Sequence, residues 1–179
     1  MKPLKITLAI LCLAVLSFSC GNDDSPSDGN PTPTADYFFR AKVDGVQYEA
    51  VAPRVLAGKT PGRITISSVL PDLRSFEITI DDYAANPVGT YVVPSPVATT
   101  YMANLKFSDN SSATSGFAAA SCCAVDCATG ATRGTIVITA MSTTEISGTF
   151  SFTGTQTSGS CPRAKKVVTE GSFKSGITQ

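Results

Sequence analysis

Histidine and tryptophan are absent from all 179 residues. Without histidine the chain lacks the commonest general base near neutral pH and the commonest transition-metal ligand. Without tryptophan it lacks the largest stacking platform for sugars and bases. Charge is sparse, at 16% of residues, and no run or stripe of lysine and arginine occurs. A nucleic-acid surface needs a concentrated cationic face, so the sequence argues against that partner. No segment keeps a helical apolar period over three turns. Phe117 to Ala128 comes nearest, but its Ser, Thr and Cys content favours a loop or one short turn.

What is present begins with a leader. Lys2 and Lys5 precede an apolar run from Ile6 to Leu16. That run is shorter than the roughly 20 residues that span a bilayer, and it fits a secretory signal over residues 1–19. The segment Leu16-Ser17-Phe18-Ser19-Cys20 resembles the lipobox of bacterial lipoproteins, with its leucine one position further from the cysteine than in the usual pattern. The resemblance implies cleavage before Cys20 and acylation of its thiol by palmitate-type chains. Two or more such chains moor a protein to a membrane without a spanning segment, at about 0.8 kcal/mol per buried methylene. Removing Lys2 and Lys5 with the leader leaves 12 basic against 14 acidic side chains, a net charge of −2.

Residues 20–35 read as the acylated cysteine and a flexible linker. Pro26, Pro31 and Pro33 stand among Ser, Gly, Asn and Asp, with little apolar surface to bury. Asp23-Asp24, just behind Cys20, resembles the export signal that sends Bacteroidetes lipoproteins to the outer face of the outer membrane. Display at the cell surface is the expectation, with a periplasm-facing position as the alternative.

Residues 36–179 form the folded domain, long enough to bury a core. Short alternating runs bounded by turn residues mark its strands. Tyr37 to Val43 and Val46 to Val51 flank Asp44-Gly45, a two-residue hairpin signal. Arg63 to Leu70 and Arg74 to Ile80 flank Pro71-Asp72. Gly89 to Val93, Tyr101 to Phe107, Gly134 to Met141, Thr144 to Gly154 and Lys166 to Ser175 follow. In the alternation after Thr144, Ile146, Gly148, Phe150 and Phe152 share one face, with Ser147, Thr149, Ser151 and Thr153 on the other, which implies one side buried and one wet. Val168 and Phe173 are both expected inside, and a bulge at Glu170-Gly171 absorbs their odd spacing. The fold class is all-β: a single antiparallel sandwich or partly closed barrel of about nine strands.

Several of these segments, in order, are similar to a family of Bacteroidetes lipoproteins of unknown function, DUF6252. The stretch Phe39 to Ala50, with Asp44-Gly45 at its centre, opens the likeness. Pro87 to Tyr91, Gly134 to Thr139, Ile146 to Phe152 and Val168 to Phe173 continue it. The resemblance implies an all-β envelope lipoprotein and brings no activity. Its recurring residues are turn glycines and alternating aromatics. The cysteine-rich insert around residues 115–133 departs from its pattern.

Cys12 leaves with the leader and Cys20 is lipidated, so Cys122, Cys123, Cys127 and Cys161 remain. In an exported chain an even set implies disulfides. Adjacent Cys122 and Cys123 are poorly placed to bond each other. Two schemes stay open: Cys122–Cys127 with Cys123–Cys161, or Cys122–Cys161 with Cys123–Cys127. A thiolate metal site fits less well, because Cys161 has no near mate.

Candidate functional residues are few. Asp81-Asp82 offers oxygen ligands for calcium but reads first as a solvated turn. Asp44 and Asp72 read as turn formers, Glu77 and Glu145 as isolated, and Ser121 and Ser160 have no histidine to activate them. Lys165-Lys166 reads as an exposed strand edge. Tyr37, Tyr48, Tyr83, Tyr91 and Tyr101 are candidates for a weak binding face. No cofactor or metal is implied. The expected function is a non-enzymatic envelope lipoprotein that binds a protein or glycan partner through loops or an aromatic face. A purely structural envelope lipoprotein is the alternative, and a carboxylate-dependent hydrolase ranks below both. Mass spectrometry of the mature protein should find its first residue to be Cys20 carrying acyl mass; a bare cysteine there would refute the anchor.

Overall fold

A computed structural model describes residues 36–82, 88–94, 103–109, 116–123 and 132–178. Cys20, Tyr83, Tyr101 and Cys127 lie outside those residues. The described chain is all-β. Its strands are β1 (Phe38–Val43), β2 (Val46–Val51), β3 (Val55–Thr60), β4 (Arg63–Val69), β5 (Ser75–Asp81) and β6 (Gly89–Pro94). They continue as β7 (Ala103–Ser108), β8 (Gly116–Ala118), β9 (Thr132–Met141), β10 (Glu145–Gln156) and β11 (Lys165–Thr178). Among the described residues no helix is long and apolar enough to cross a membrane.

The strands form one sheet in the order β2-β1-β11-β3-β4-β5-β7-β8-β10-β9-β6, with β10 also paired to β11. That extra pairing closes a ring through β11, β3, β4, β5, β7, β8 and β10. The long strands make the corners. β11 pairs with β1 through Val168–Lys174 and with β3 through Ile177 and Thr178. β10 pairs with β9 up to Phe152 and with β8 at Thr155 and Gln156. The result is a flattened, partly closed barrel whose two layers face each other across aromatic side chains. Phe39 of β1 stacks on Phe76 of β5 at 5.1 Å and meets Phe150 of β10 at 4.9 Å. Tyr48 of β2 meets Phe107 of β7 at 6.1 Å. Each fully buried phenylalanine is worth about 1.5–3 kcal/mol in apolar burial.

Among the described residues there are eleven strands where about nine were expected. β3 and β8 were not anticipated, and β11–β3 is parallel where an antiparallel fold was expected. In β3 the apolar Leu56 points outward at 54% exposure, so the run lacks the alternation that marks a strand. β8 is only Gly116–Ala118, inside the segment expected to be a loop; it bridges β7 and β10 before a turn at residues 119–120.

Other local readings hold. Asp44 and Gly45 both take positive φ, as a type I′ hairpin requires. The Asp44 carboxylate accepts from Lys166 Nζ at 2.8 Å and from the Val167 amide at 2.9 Å. Those bonds, with Lys166 first, hold its pKa below the ordinary 3.8 and tie the hairpin to β11. The β11 bulge falls at Glu170, where φ is positive and both neighbouring registers shift. It brings Val168 and Phe173 inside together. Asp72 caps its own turn through the Arg74 amide.

The β9-β10-β11 layer pairs aromatic residues with glycines across strands. Gly148 faces Phe173, Gly171 faces Phe150, and Gly134 faces Phe152. A β-carbon added at Gly148 would lie 2.8 Å from the Phe173 ring, and one at Gly171 would lie 2.7 Å from the Phe150 ring. At Gly148 and Gly171 the ring and a still closer backbone carbonyl, of Val137 and Phe150, together fill the space the glycine leaves; at Gly134 Leu105 Cδ1 and Phe152 Cβ do so. Gly148→Ala should destabilise the domain by about 1–3 kcal/mol through overpacking. Urea unfolding checks this against Thr149→Val on the exposed neighbouring position, which should stay within about 0.5 kcal/mol of the parent.

Candidate functional site

The aromatic face expected from the sequence is not assembled by the tyrosines that are described. Tyr37 is buried beside the Lys174 ammonium, 5.8 Å from its ring. Tyr48 packs against the core on β2; the Arg74 guanidinium lies 4.9 Å over its ring and donates to its hydroxyl. Tyr91 packs against the core on β6, at the opposite end of the strand order, and burial raises the pKa of its phenol.

A different surface gathers polar groups. Strands β4, β5 and β7 turn Ile64, Ile66, Ile78, Ile80 and Leu105 inward. Period two then sends the residues between them to the outer face, where cross-strand pairing lines them up in rows. Thr65 lies opposite Thr79, and Thr79 opposite Asn104. Ser67 lies opposite Glu77, and Glu77 opposite Lys106. Arg63 lies opposite Asp81. The rows floor a shallow groove of 340 Å³ with Ala120 at its side. A second depression, also of 340 Å³, adjoins it over Ser75, Ser108 and Thr157 and shares Glu77 and Lys106.

Its charges are matched within the groove. Lys106 Nζ donates to Glu77 Oε1 at 2.8 Å, and Arg63 Nε donates to Asp81 Oδ1. The bond to Asp81 also raises the Arg63 pKa above its ordinary value. Asn104 stands between these pairs. Its Oδ1 is enclosed and accepts no hydrogen bond from the described residues, as is also true of Ser68 Oγ and Ser158 Oγ elsewhere. Most enclosed polar atoms have a partner, so an unpartnered carboxamide oxygen in a groove floor is a feature to be explained.

Glu77 was expected to be isolated; it is paired, with a residue 29 positions away. Asp81 pairs with Arg63, while Asp82 takes positive φ and donates its amide to the Gly62 carbonyl. Among the described residues no three His, Cys, Asp or Glu side chains gather to hold a metal. Glu145 pairs with Lys174, and Lys166, expected to be an exposed edge, is bound to Asp44.

The wall of the groove is stapled. Cys123 and Cys161 form a disulfide. That bond rejects the scheme in which Cys161 joins Cys122; Cys122 is itself disulfide-bonded, and Cys127 lies outside the described residues. The turn through Ala119 and Ala120 is thereby fixed to the loop between β10 and β11. Arg133 Nη2 donates to the Ser121 carbonyl at 3.3 Å and to Thr155 Oγ1 at 2.6 Å, and Ser121 Oγ donates to the Gln156 carbonyl. Ala119 also donates its amide to the Leu105 carbonyl on β7.

The model of a family described as a domain of unknown function, DUF6252, matches residues 35–176. No curated protein and no solved structure matches the chain.

Cys161→Ser should lower the unfolding free energy by about 2–4 kcal/mol, the usual worth of such a cross-link. Alkylation of the unreduced, unfolded protein should leave Cys123 and Cys161 unlabelled; labelling of either would contradict the staple.

Proposed function

Because the chain belongs to the DUF6252 family, a domain whose function is unknown, we propose that it is a non-enzymatic cell-envelope lipoprotein of the Bacteroidetes type that binds a protein or glycan partner. Acyl chains on Cys20 moor it to the outer membrane. The acidic Asp23-Asp24 pair supports display at the cell surface.

The observation that carries the binding role is the groove over β4, β5 and β7, a concave polar surface on rigid strands. This moves the proposed contact from loops or tyrosines to a sheet face. The same geometry argues against a hydrolase there. Glu77 and Asp81 lie on one face of β5, four residues apart, which separates their backbones by about 13 Å. Paired glycosidase carboxyls stand about 5–9.5 Å apart across the scissile bond. Both carboxylates are also engaged by cations.

Display is tested by protease treatment of intact cells. Loss of the full-length chain, with a periplasmic control protein intact, is the expected result; protection until the outer membrane is breached would assign the domain to the periplasmic side.

A further inference from the structure

Eight large apolar side chains of the described chain are left exposed, and four of them gather at one corner: Val51, Leu56, Val69 and Leu73. Backbone hydrogen bonds draw that corner together. The Arg54 amide donates to the Val51 carbonyl, the Val69 amide to the Arg54 carbonyl, and the Leu73 amide to the Leu70 carbonyl, each at 3.0 Å. Leu56 pairs with Ser67, so Val69, two residues on, is its diagonal neighbour on the outer face of β3 and β4. Pro53 and Pro71 are exposed on the same two connections. The other four exposed side chains divide between the Asp44 hairpin and β6.

The domain's first residues lie at this corner too. The Tyr37 carbonyl accepts from the Ala52 amide at 3.0 Å, one residue past Val51, and Phe38 pairs with Val51. The segment that leads back to Cys20 therefore joins the domain here. We propose that this corner, built from the β2–β3 connection and the β4–β5 turn, rests on the lipid surface to which the acyl chains moor the protein. The inference rests on the envelope-lipoprotein reading above and adds a second membrane contact, made by the folded domain itself.

Leu73 sets the corner apart from scattered exposure. It is 66% exposed and holds φ at +69°. Water disfavours its side chain, and the left-handed region disfavours its β-carbon. Asparagine or glycine would suit both the turn and the solvent better. A leucine that neither condition favours is accounted for by an apolar medium outside the protein. Arg54 adds the polar half of the match. It is exposed between Val51 and Val69, and its guanidinium has no partner among the described residues. Headgroup phosphates are acceptors for a guanidinium. A cation among aliphatic side chains suits the boundary where phosphates overlie acyl carbons.

A protein occupant fits less well. Protein interfaces draw most of their affinity from aromatic and other large anchors set in pockets, and the four exposed side chains are aliphatic. The affinity asked of the corner is also small. The acyl chains already hold the domain at the surface, which makes the second contact intramolecular. Along β4 the Arg63 end of the groove lies about 20 Å from Val69, which leaves that end open to the partner proposed above.

The test separates the corner from the anchor. It uses the mature chain, residues 20–179, with Cys20→Ser, so that no acyl chain is present. The protein has no tryptophan. In this chain Leu73→Trp therefore places a lone reporter on the corner, and Thr149→Trp places one on the exposed face of β10. With vesicles of phosphatidylethanolamine and phosphatidylglycerol, the Leu73→Trp emission should move to shorter wavelength and be quenched by brominated acyl chains. Thr149→Trp should show neither effect, which controls for the affinity of tryptophan itself for the interface. In flotation with the same vesicles, Leu73→Asn should bind about fivefold more weakly than the Cys20→Ser parent. The same variant should unfold at an equal or higher urea concentration, because asparagine suits the positive φ. Arg54→Ser should also weaken flotation. Equal quenching at both reporters, flotation unchanged in both variants, or no binding at millimolar lipid would each overturn the corner. None of these results touches the acyl mass at Cys20, on which the anchor stands or falls. Self-association of the parent that Leu73→Asn abolishes and vesicles leave intact would assign the corner to a second copy and overturn the inference.

Discussion

Everything in the fold leans on the contact between phenylalanine rings and the glycines that face them. Gly148 and Phe173, Gly171 and Phe150, Gly134 and Phe152 are direct cross-strand partners in β9, β10 and β11. A glycine in a strand costs conformational entropy and offers no side chain to pack. A ring laid over it recovers the packing and fixes the register, since sliding by one residue would drive the ring into a side chain and turn the apolar set outward. This explains how β10, with glycines at 148 and 154, still pairs with β8, β9 and β11.

The same register places the groove. β10 and β11 are long enough to serve both layers. The ends of β11 and β10 reach out of the first layer to hold β3 and β8. Those two strands bracket β4, β5 and β7, so the parity of the central pair is passed around the ring. Phe39, Phe76 and Phe107 face inward on that parity, and Glu77, Thr79 and Lys106 must then face out. The disulfide acts at the same corner. It holds the turn after β8 against β10, and that turn supplies Ala120 to the groove.

The sequence made some of this legible, for local reasons. Asp44-Gly45 announces its turn because both residues must take positive φ. The alternation from Ile146 to Phe152 reads as buried and wet faces because nothing interrupts it. Even the β11 bulge follows from two apolar residues at odd spacing. The features that stayed hidden depend on distant partners. β3 carries an exposed Leu56 and a central Gly58, and it is a strand because β4 and the end of β11 pair with it. Asp81 finds Arg63 at 18 positions and Glu77 finds Lys106 at 29, so neither pair shows in a local pattern. The three described tyrosines, Tyr37, Tyr48 and Tyr91, pack at separate places in the fold, which a local pattern does not show.

A fold whose propensities, patterning and turns agree leaves its exceptions conspicuous. Here the inner face is satisfied almost throughout by Phe, Ile and Val, and the outer face by Thr, Ser and ion pairs. Asn104 Oδ1 breaks the pattern, as Ser68 Oγ and Ser158 Oγ do elsewhere. A threonine would suit its place in a strand better and would avoid an enclosed oxygen without a donor. Thr79, directly opposite, makes no hydrogen bond to it, and Lys106 and Arg63 are paired with Glu77 and Asp81. The polar deficit and the matched charges therefore belong to one arrangement. The ion pairs leave the floor without a net charge. The outer face of β4, β5 and β7 therefore balances its charges across strands, which no single strand could do alone.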